Sequence, residues 1–158
     1  IVKDMYQVIR EAAGDDVIII GCNTLSHLSA GMFELQRTGD DTSGVEWERT
    51  KQMGINTLAL RMMQHNAFYA VDADCIGITG EIPRSTNKKW LDVLAKSGTP
   101  LFVSIGENAY TDEVKADIKA AFEKAAGVHK VSVPLDIIDN LTPAKWVSDF
   151  GTDEYDWE

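Results

Sequence analysis

Helical and extended stretches alternate along this chain, and the alternation restricts its fold more than any other feature. Val2, Met5, Tyr6, Val8, Ile9 and Ala12 recur at helical spacing, and Gly14-Asp15-Asp16 closes the pattern. Residues 17–20, Val-Ile-Ile-Ile, follow as a β-branched run of the kind a parallel sheet buries on both faces. Val45, Trp47, Thr50 and Met53 mark a second amphipathic helix, which Gly54 is expected to stop, and residues 56–60 read as the next short strand. A long segment mixing Arg61, Gln64, His65, Asn66, Phe68, Tyr69, Asp72 and Asp74 then leads into Cys75-Ile76-Gly77-Ile78. Loops of that length are uncommon unless they bind something. Pro83 and Ser85 introduce a helix over 88–96, which Gly98-Thr99-Pro100 breaks, and residues 101–104 form a third buried strand. A last helix, 112–126, carries Val114, Ile118, Phe122 and Ala125 on one stripe and stops at Gly127. The order α-β-α-β-α-β-α is that of an α/β chain with a parallel sheet.

The chain has 158 residues, 44% of them hydrophobic and 25% charged, enough for one globular domain with a real core. Its net charge of -10, with Lys and Arg scattered, argues against a nucleic-acid partner and leaves room for a neutral, polyhydroxylated substrate. No stretch approaches the roughly 20 apolar residues of a membrane span, and no basic segment with a cleavage site opens the chain. The first residue, Ile1, is expected to mark a processed product or a piece of a longer protein. Cys22 and Cys75 make neither a metal-ligand spacing nor a demanded disulfide, and His27, His65 and His129 are widely separated, so no metal or other cofactor is expected. Residues 131–158 change character. One more extended segment fits 131–136, and beyond it an acidic, turn-rich tail carries Trp146, Phe150, Tyr155 and Trp157, aromatics expected to lie exposed and to lean on a neighbouring domain.

Chemistry concentrates in residues 36–43, Gln-Arg-Thr-Gly-Asp-Asp-Thr-Ser. One arginine three and four positions before two aspartates can hold one carboxylate ionised and orient another, as acid/base catalysis needs. Spacing alone favours the plainer reading, in which Asp and Ser are ordinary caps of the following helix. Three to four βα units cannot close a (β/α)₈ barrel of about 250 residues. The pattern therefore describes either a small open α/β sheet or part of a barrel.

Four elements in order carry a resemblance. Gly21-Cys22, then Arg37-Thr38-Gly39-Asp40-Asp41-Thr42, then Asp72-Ala73-Asp74-Cys75, then Trp90-Leu91 with Ser97-Gly98-Thr99-Pro100-Leu101-Phe102-Val103-Ser104 resemble the alpha-galactosidase/melibiase clan of glycoside hydrolases. In that clan the late barrel strands carry an Arg-x-x-x-Asp element, an Asp-x-Asp element and a helix leading into a Pro-Leu-aliphatic-Ser strand. The likeness runs over about residues 17–126.

The resemblance implies that residues 1–130 are the C-terminal portion of a TIM barrel, roughly its last three βα units, and that 131–158 lead towards a C-terminal β domain. It implies a retaining hydrolase of alpha-galactosides or related alpha-linked sugars, needing no cofactor. Asp41 matches the general acid/base, with Asp40 as the fallback because the doubled aspartate leaves the register open by one. Arg37 matches a residue near the sugar 2-hydroxyl, Cys22 a pocket-lining position, and Asp72 and Asp74 the substrate-pocket element, against an alternative of turn formation and capping. In the clan the nucleophile ends the fourth barrel strand, ahead of the matched region, so the chain alone is expected to be inactive and to need the rest of the barrel as its partner. Where the clan often has Asn-Asp-Pro-Asp, this sequence has Val71-Asp72-Ala73-Asp74. The rival class is a free-standing open-sheet binding module, whose phosphate loop would have to be the poorly suited Gly21-Cys22-Asn23-Thr24-Leu25.

Overall fold

A computed structural model describes residues 1–22 and 24–158, so Asn23 of the 21–25 segment lies outside the described residues. The fold is mixed α/β. Helix α1 (Val2–Ala13) leads into β1 (Ile20–Gly21), which pairs in parallel with β2 (Leu35–Arg37), and β2 pairs in parallel with β3 (Ala70–Asp72). After three residues the chain re-enters a sheet as β4 (Ile76–Ile78), parallel to β5 (Val103–Ile105). Within each of these two parallel sheets the paired strands follow chain order. Helices α2 (Trp47–Thr50) and α3 (Thr57–Arg61) connect β2 to β3, α4 (Arg84–Lys96) connects β4 to β5, and α5 (Asp112–Ala125) follows β5. A three-stranded antiparallel sheet, β6 (Val133–Pro134), β7 (Lys145–Ser148) and β8 (Gly151–Glu154), ends the chain. Among the described residues no closed barrel forms.

The core lies between the strands and α3, α4 and α5, around the fully buried Trp90, Ile55, Leu58, Ile76, Leu94 and Val71. Residues 56–60 are helical here, not a strand. Ile55, Leu58, Ala59 and Met62 are the buried set, an i, i+3, i+4, i+7 series that only a helix can turn to one side. Nor does Gly54 stop the preceding helix: a π-helical turn, Lys51–Asn56, carries the chain through it into α3. A Cβ on Gly54 would meet the Trp90 ring at 2.9 Å, so the glycine serves close packing.

Two other expectations change. The 17–20 run is not buried on both faces: Val17, Ile18 and Ile20 are exposed, and β1 spans only Ile20–Gly21. Helix α1 buries Tyr6 alone, against Met32 and Phe33, in a small cluster separate from the main core. Arg10 ties it down by donating to the Met32, Gly14 and Val17 carbonyls and pairing with Glu34. Phe122, expected on the buried stripe of α5, is exposed, and Val114 and Ala121 are buried.

The tail aromatics pack on this chain's own core. Trp146 and Trp157 are buried, and both indole N–H groups donate to the Pro143 carbonyl at 2.9 Å. The Trp157 carbonyl in turn accepts from the Trp47 indole at 2.7 Å, and Tyr155 stacks on Trp157 with 5.1 Å between centroids. The Tyr155 hydroxyl donates to Asp92, whose carboxylate also pairs with Lys96 and Lys124. Phe150 alone of the four stays largely exposed. Antiparallel strands too short to be stable unaided gain their stability from this contact. Trp157→Ala is expected to lower the unfolding free energy by about 3–5 kcal/mol in urea titrations. An unchanged midpoint would mean that the tail is not part of the cooperative unit.

Candidate functional site

Parallel strands present their following loops at one end of the sheet, and β1, β2 and β3 end there at Gly21, Arg37 and Asp72. Cys22, Arg37, Asp40, Asp41, Asp72 and Asp74 therefore come together from three separate stretches of chain. The register sets Arg37 directly beside Asp72. The 61–69 part of the long segment lies at the other end, ahead of β3: it holds a short 3₁₀ turn, Met62–Gln64, and Phe68 accepts from Gly31 N–H. The expected ligand loop is thus reduced, at the site end, to residues 72–75.

The Arg37 guanidinium, largely buried, pairs with Asp41 at 2.6 Å and stands 3.6 Å from Asp74. Burial works against its charge, but charge interactions with Cys22, Asp74 and Asp41 and the hydrogen bond to Asp41 outweigh burial and raise its pKa. Cys22 and the Asp41 side chain are open to solvent. The two neighbouring aspartates part company. Asp40 turns to Arg49 of α2, 2.8 Å away, while Arg49 also donates to the Asp41 carbonyl at 2.6 Å. The Asp41 backbone N–H, and then Arg49, hold the Asp40 carboxyl below the usual range. Neither aspartate caps a helix: Glu46 occupies the cap position of α2, with no side-chain bond.

Asp72 and Asp74 face inward. Asp72 accepts from the Asp74 N–H at 2.8 Å, a local turn that sets Asp74 at φ 69°, in the left-handed region that Asp tolerates better than most side chains. That conformation aims the Asp74 carboxylate back at the 36–43 loop, where it accepts from the Thr42 N–H at 2.7 Å and the Thr42 hydroxyl at 3.1 Å. Thr42 is fully buried, its hydroxyl also within reach of the Cys75 carbonyl. Beyond it the loop backbone lies flat on β4: a Cβ on Gly44 would come within 2.7 Å of the Gly77 backbone, and Gly44 has φ 70°.

Charge divides the pair. Burial raises the Asp72 pKa. For Asp74 burial acts the same way, yet the Thr42 and Cys75 N–H groups, the Thr42 hydroxyl and Arg37 outweigh it and hold the carboxyl below its ordinary range. Burial, with Asp74 beside it, pushes the Cys75 thiol up to about 11, so Cys75 is a neutral thiol near neutral pH. Thr42 and Arg49 also join the cluster, although the sequence pattern assigned neither a role of its own. The only signal was a cation, Arg49, eight and nine positions after the aspartates in the helix that follows.

The cluster combines a fixed cation, an exposed carboxylate paired with it, and a second carboxylate buried behind it. A protonated Asp41 could donate to a bound group and an ionised one could receive a proton, while Arg37 could hold hydroxyls. Two cavities, of about 270 and 530 Å³, lie between α4 and α5, lined by residues such as Arg84, Lys88, Leu91 and Asp117, and include none of these side chains. Among the described residues no three His, Cys, Asp or Glu side chains are grouped to hold a metal ion, and no helix is long and apolar enough to cross a membrane. Protein-family models yield no match to the chain, and no curated protein matches it.

Asp72→Asn keeps the acceptor for the Asp74 N–H and removes the charge that burial disfavours. Because the folded pKa of Asp72 is raised, its ionisation weakens the fold above the ordinary carboxylate range, and that penalty vanishes as pH falls below it. The variant is expected to match or exceed the parent in urea stability at pH 7, with the two converging below about pH 4. A clear loss at pH 7 would mean that the ionised form is required.

Proposed function

We propose that the chain is the C-terminal part of the catalytic (β/α)₈ barrel of a retaining glycoside hydrolase acting on alpha-galactosides or related alpha-linked sugars, with Asp41 as general acid/base. The observation that carries this reading is the Arg37–Asp41 pair at the C-terminal end of β2, where enzymes of the barrel class keep their chemistry. The β1-β2-β3 sheet, parallel and in chain order with helices between β2 and β3, is compatible with a barrel segment. The four-element sequence resemblance supports the sugar class.

In the proposed reaction Asp41 gives its proton to the glycosidic oxygen as the C1–O bond breaks, the bonding pair leaving with that oxygen, while a second carboxylate bonds to C1 from the opposite face. Asp41, now ionised, then takes a proton from water, whose oxygen displaces the enzyme carboxylate from C1. Asp40 is turned away from Arg37 towards Arg49, so Asp41 rather than Asp40 is assigned the role. The nucleophile, which must stand about 5 Å from the acid, is assigned to an earlier barrel strand outside these residues. Arg37 and Cys22 line the sugar side, and Asp72 and Asp74 support the pocket from behind.

Hydrolysis of aryl alpha-galactosides by the full-length protein tests the assignment. Asp41→Asn is expected to cut kcat/KM by about 10²–10⁴ for a poorly acidic phenol leaving group and far less for an activated one. Asp40→Asn is expected to keep most activity. Equal losses with both leaving groups, or an unaffected Asp41→Asn enzyme, would refute the acid role.

A further inference from the structure

A general acid beside a permanent cation faces a conflict: the guanidinium favours loss of the proton that the acid must deliver. We propose that Asp74 is the positioning residue that resolves it, a buried carboxylate that offsets the Arg37 charge and fixes the loop bearing Asp41. This rests on the assignment of Asp41 as general acid.

Three observations carry it. Asp41 and Asp74 meet the same Arg37 Nη1, at 2.6 and 3.6 Å, so their oxygens stand no more than about 6 Å apart. A like charge at that range favours the protonated form of a carboxyl. Exposure separates the two: the Asp41 side chain is 66% exposed and the Asp74 side chain 13%, so substrate meets the first and not the second. Finally, Asp74 grips both the N–H and the hydroxyl of Thr42, the residue after Asp41, which couples the compensating charge to the position of the acid. The other groups facing this cluster are the Cys22 thiol after β1, Asp40 with Arg49 from the α2 side, and Asp72 and the neutral Cys75 thiol flanking Asp74. Among these carboxylates Asp74 alone touches the chain on both sides of the acid, through Arg37 and through Thr42.

The left-handed backbone at position 74 suits Asn and Gly, so both Asp74→Asn and Asp74→Gly can keep the turn. Asp74→Asn also keeps an acceptor for the Thr42 N–H. In the full-length protein the alkaline limb of kcat/KM against pH, which reports loss of the acid's proton, is expected to move down by about half to one pH unit in Asp74→Asn. It should move the same way in Asp74→Gly and stay in place in Thr42→Val, which loosens the loop and leaves the charge. The carbon-13 signal of the Asp41 carboxyl, assigned by its disappearance in Asp41→Asn, should show the same downward displacement of its titration midpoint with no reliance on activity. An unmoved midpoint and limb in folded Asp74 variants, or an equal displacement in Thr42→Val, overturns the proposal. Unaffected turnover in Asp41→Asn instead overturns the acid assignment, and the carboxyl titration still decides whether Asp74 governs the proton on Asp41.

Discussion

The grip of Asp74 on Thr42 is the contact on which the rest of the candidate site depends. It joins the segment after β2 to the short break between β3 and β4, two stretches separated by more than thirty residues. The Thr38 N–H on the Asp72 carbonyl, the Thr50 hydroxyl on the Thr42 carbonyl, Arg49 and the backbone contact at Gly44 also hold the 36–43 loop. Asp74 gives the loop a buried, charged anchor. Hydrogen bonds to an ionised acceptor are about twice as strong as neutral ones, and the surroundings of Asp74 are arranged to keep it ionised.

The same break explains how two small parallel sheets serve one site. β3 ends at Asp72 against Arg37, and β4 begins at Ile76 against Val103, with the left-handed Asp74 between them. The turn moves the chain from one sheet to the other and aims a carboxylate sideways as it does so. Behind it the core around Trp90 holds α3 and α4 in place, and the C-terminal aromatics close over that core through Trp47, Pro143 and Asp92. The site end is thus a set of loops on a rigid support, with the exposed Asp41 carboxylate where a ligand can reach it.

Much of this was legible in the residues. Helices over 2–13, 84–96 and 112–125 follow from apolar period, Gly stops and Pro starts, which act locally. The 55–62 region was misjudged because its strand-like composition masked a helical period running through a glycine, and a glycine in contact with Trp90 looks in sequence like any other stop. The tail was misjudged for a related reason: four aromatics with no neighbouring apolar run appear unpartnered until the chain folds back on α2 and α4. The cap reading of Asp40 and Asp41 was open in sequence because caps and salt bridges use the same residue types, and only the course of the chain distinguishes them.

By itself the sequence determined the α/β class, the order of most elements and the cluster of charge at 36–43, because periodicity, β-branching and turn residues act within a few positions of themselves. Only the tertiary structure decided that Asp41 faces Arg37 while Asp40 faces Arg49, and that burial raises the Asp72 pKa while hydrogen bonds and Arg37 lower that of Asp74. Those outcomes turn on burial and on the course of the folded loop and, for Asp74, on a partner more than thirty residues away. A carboxylate's environment is set by what the fold brings to it, and no local pattern carries that information.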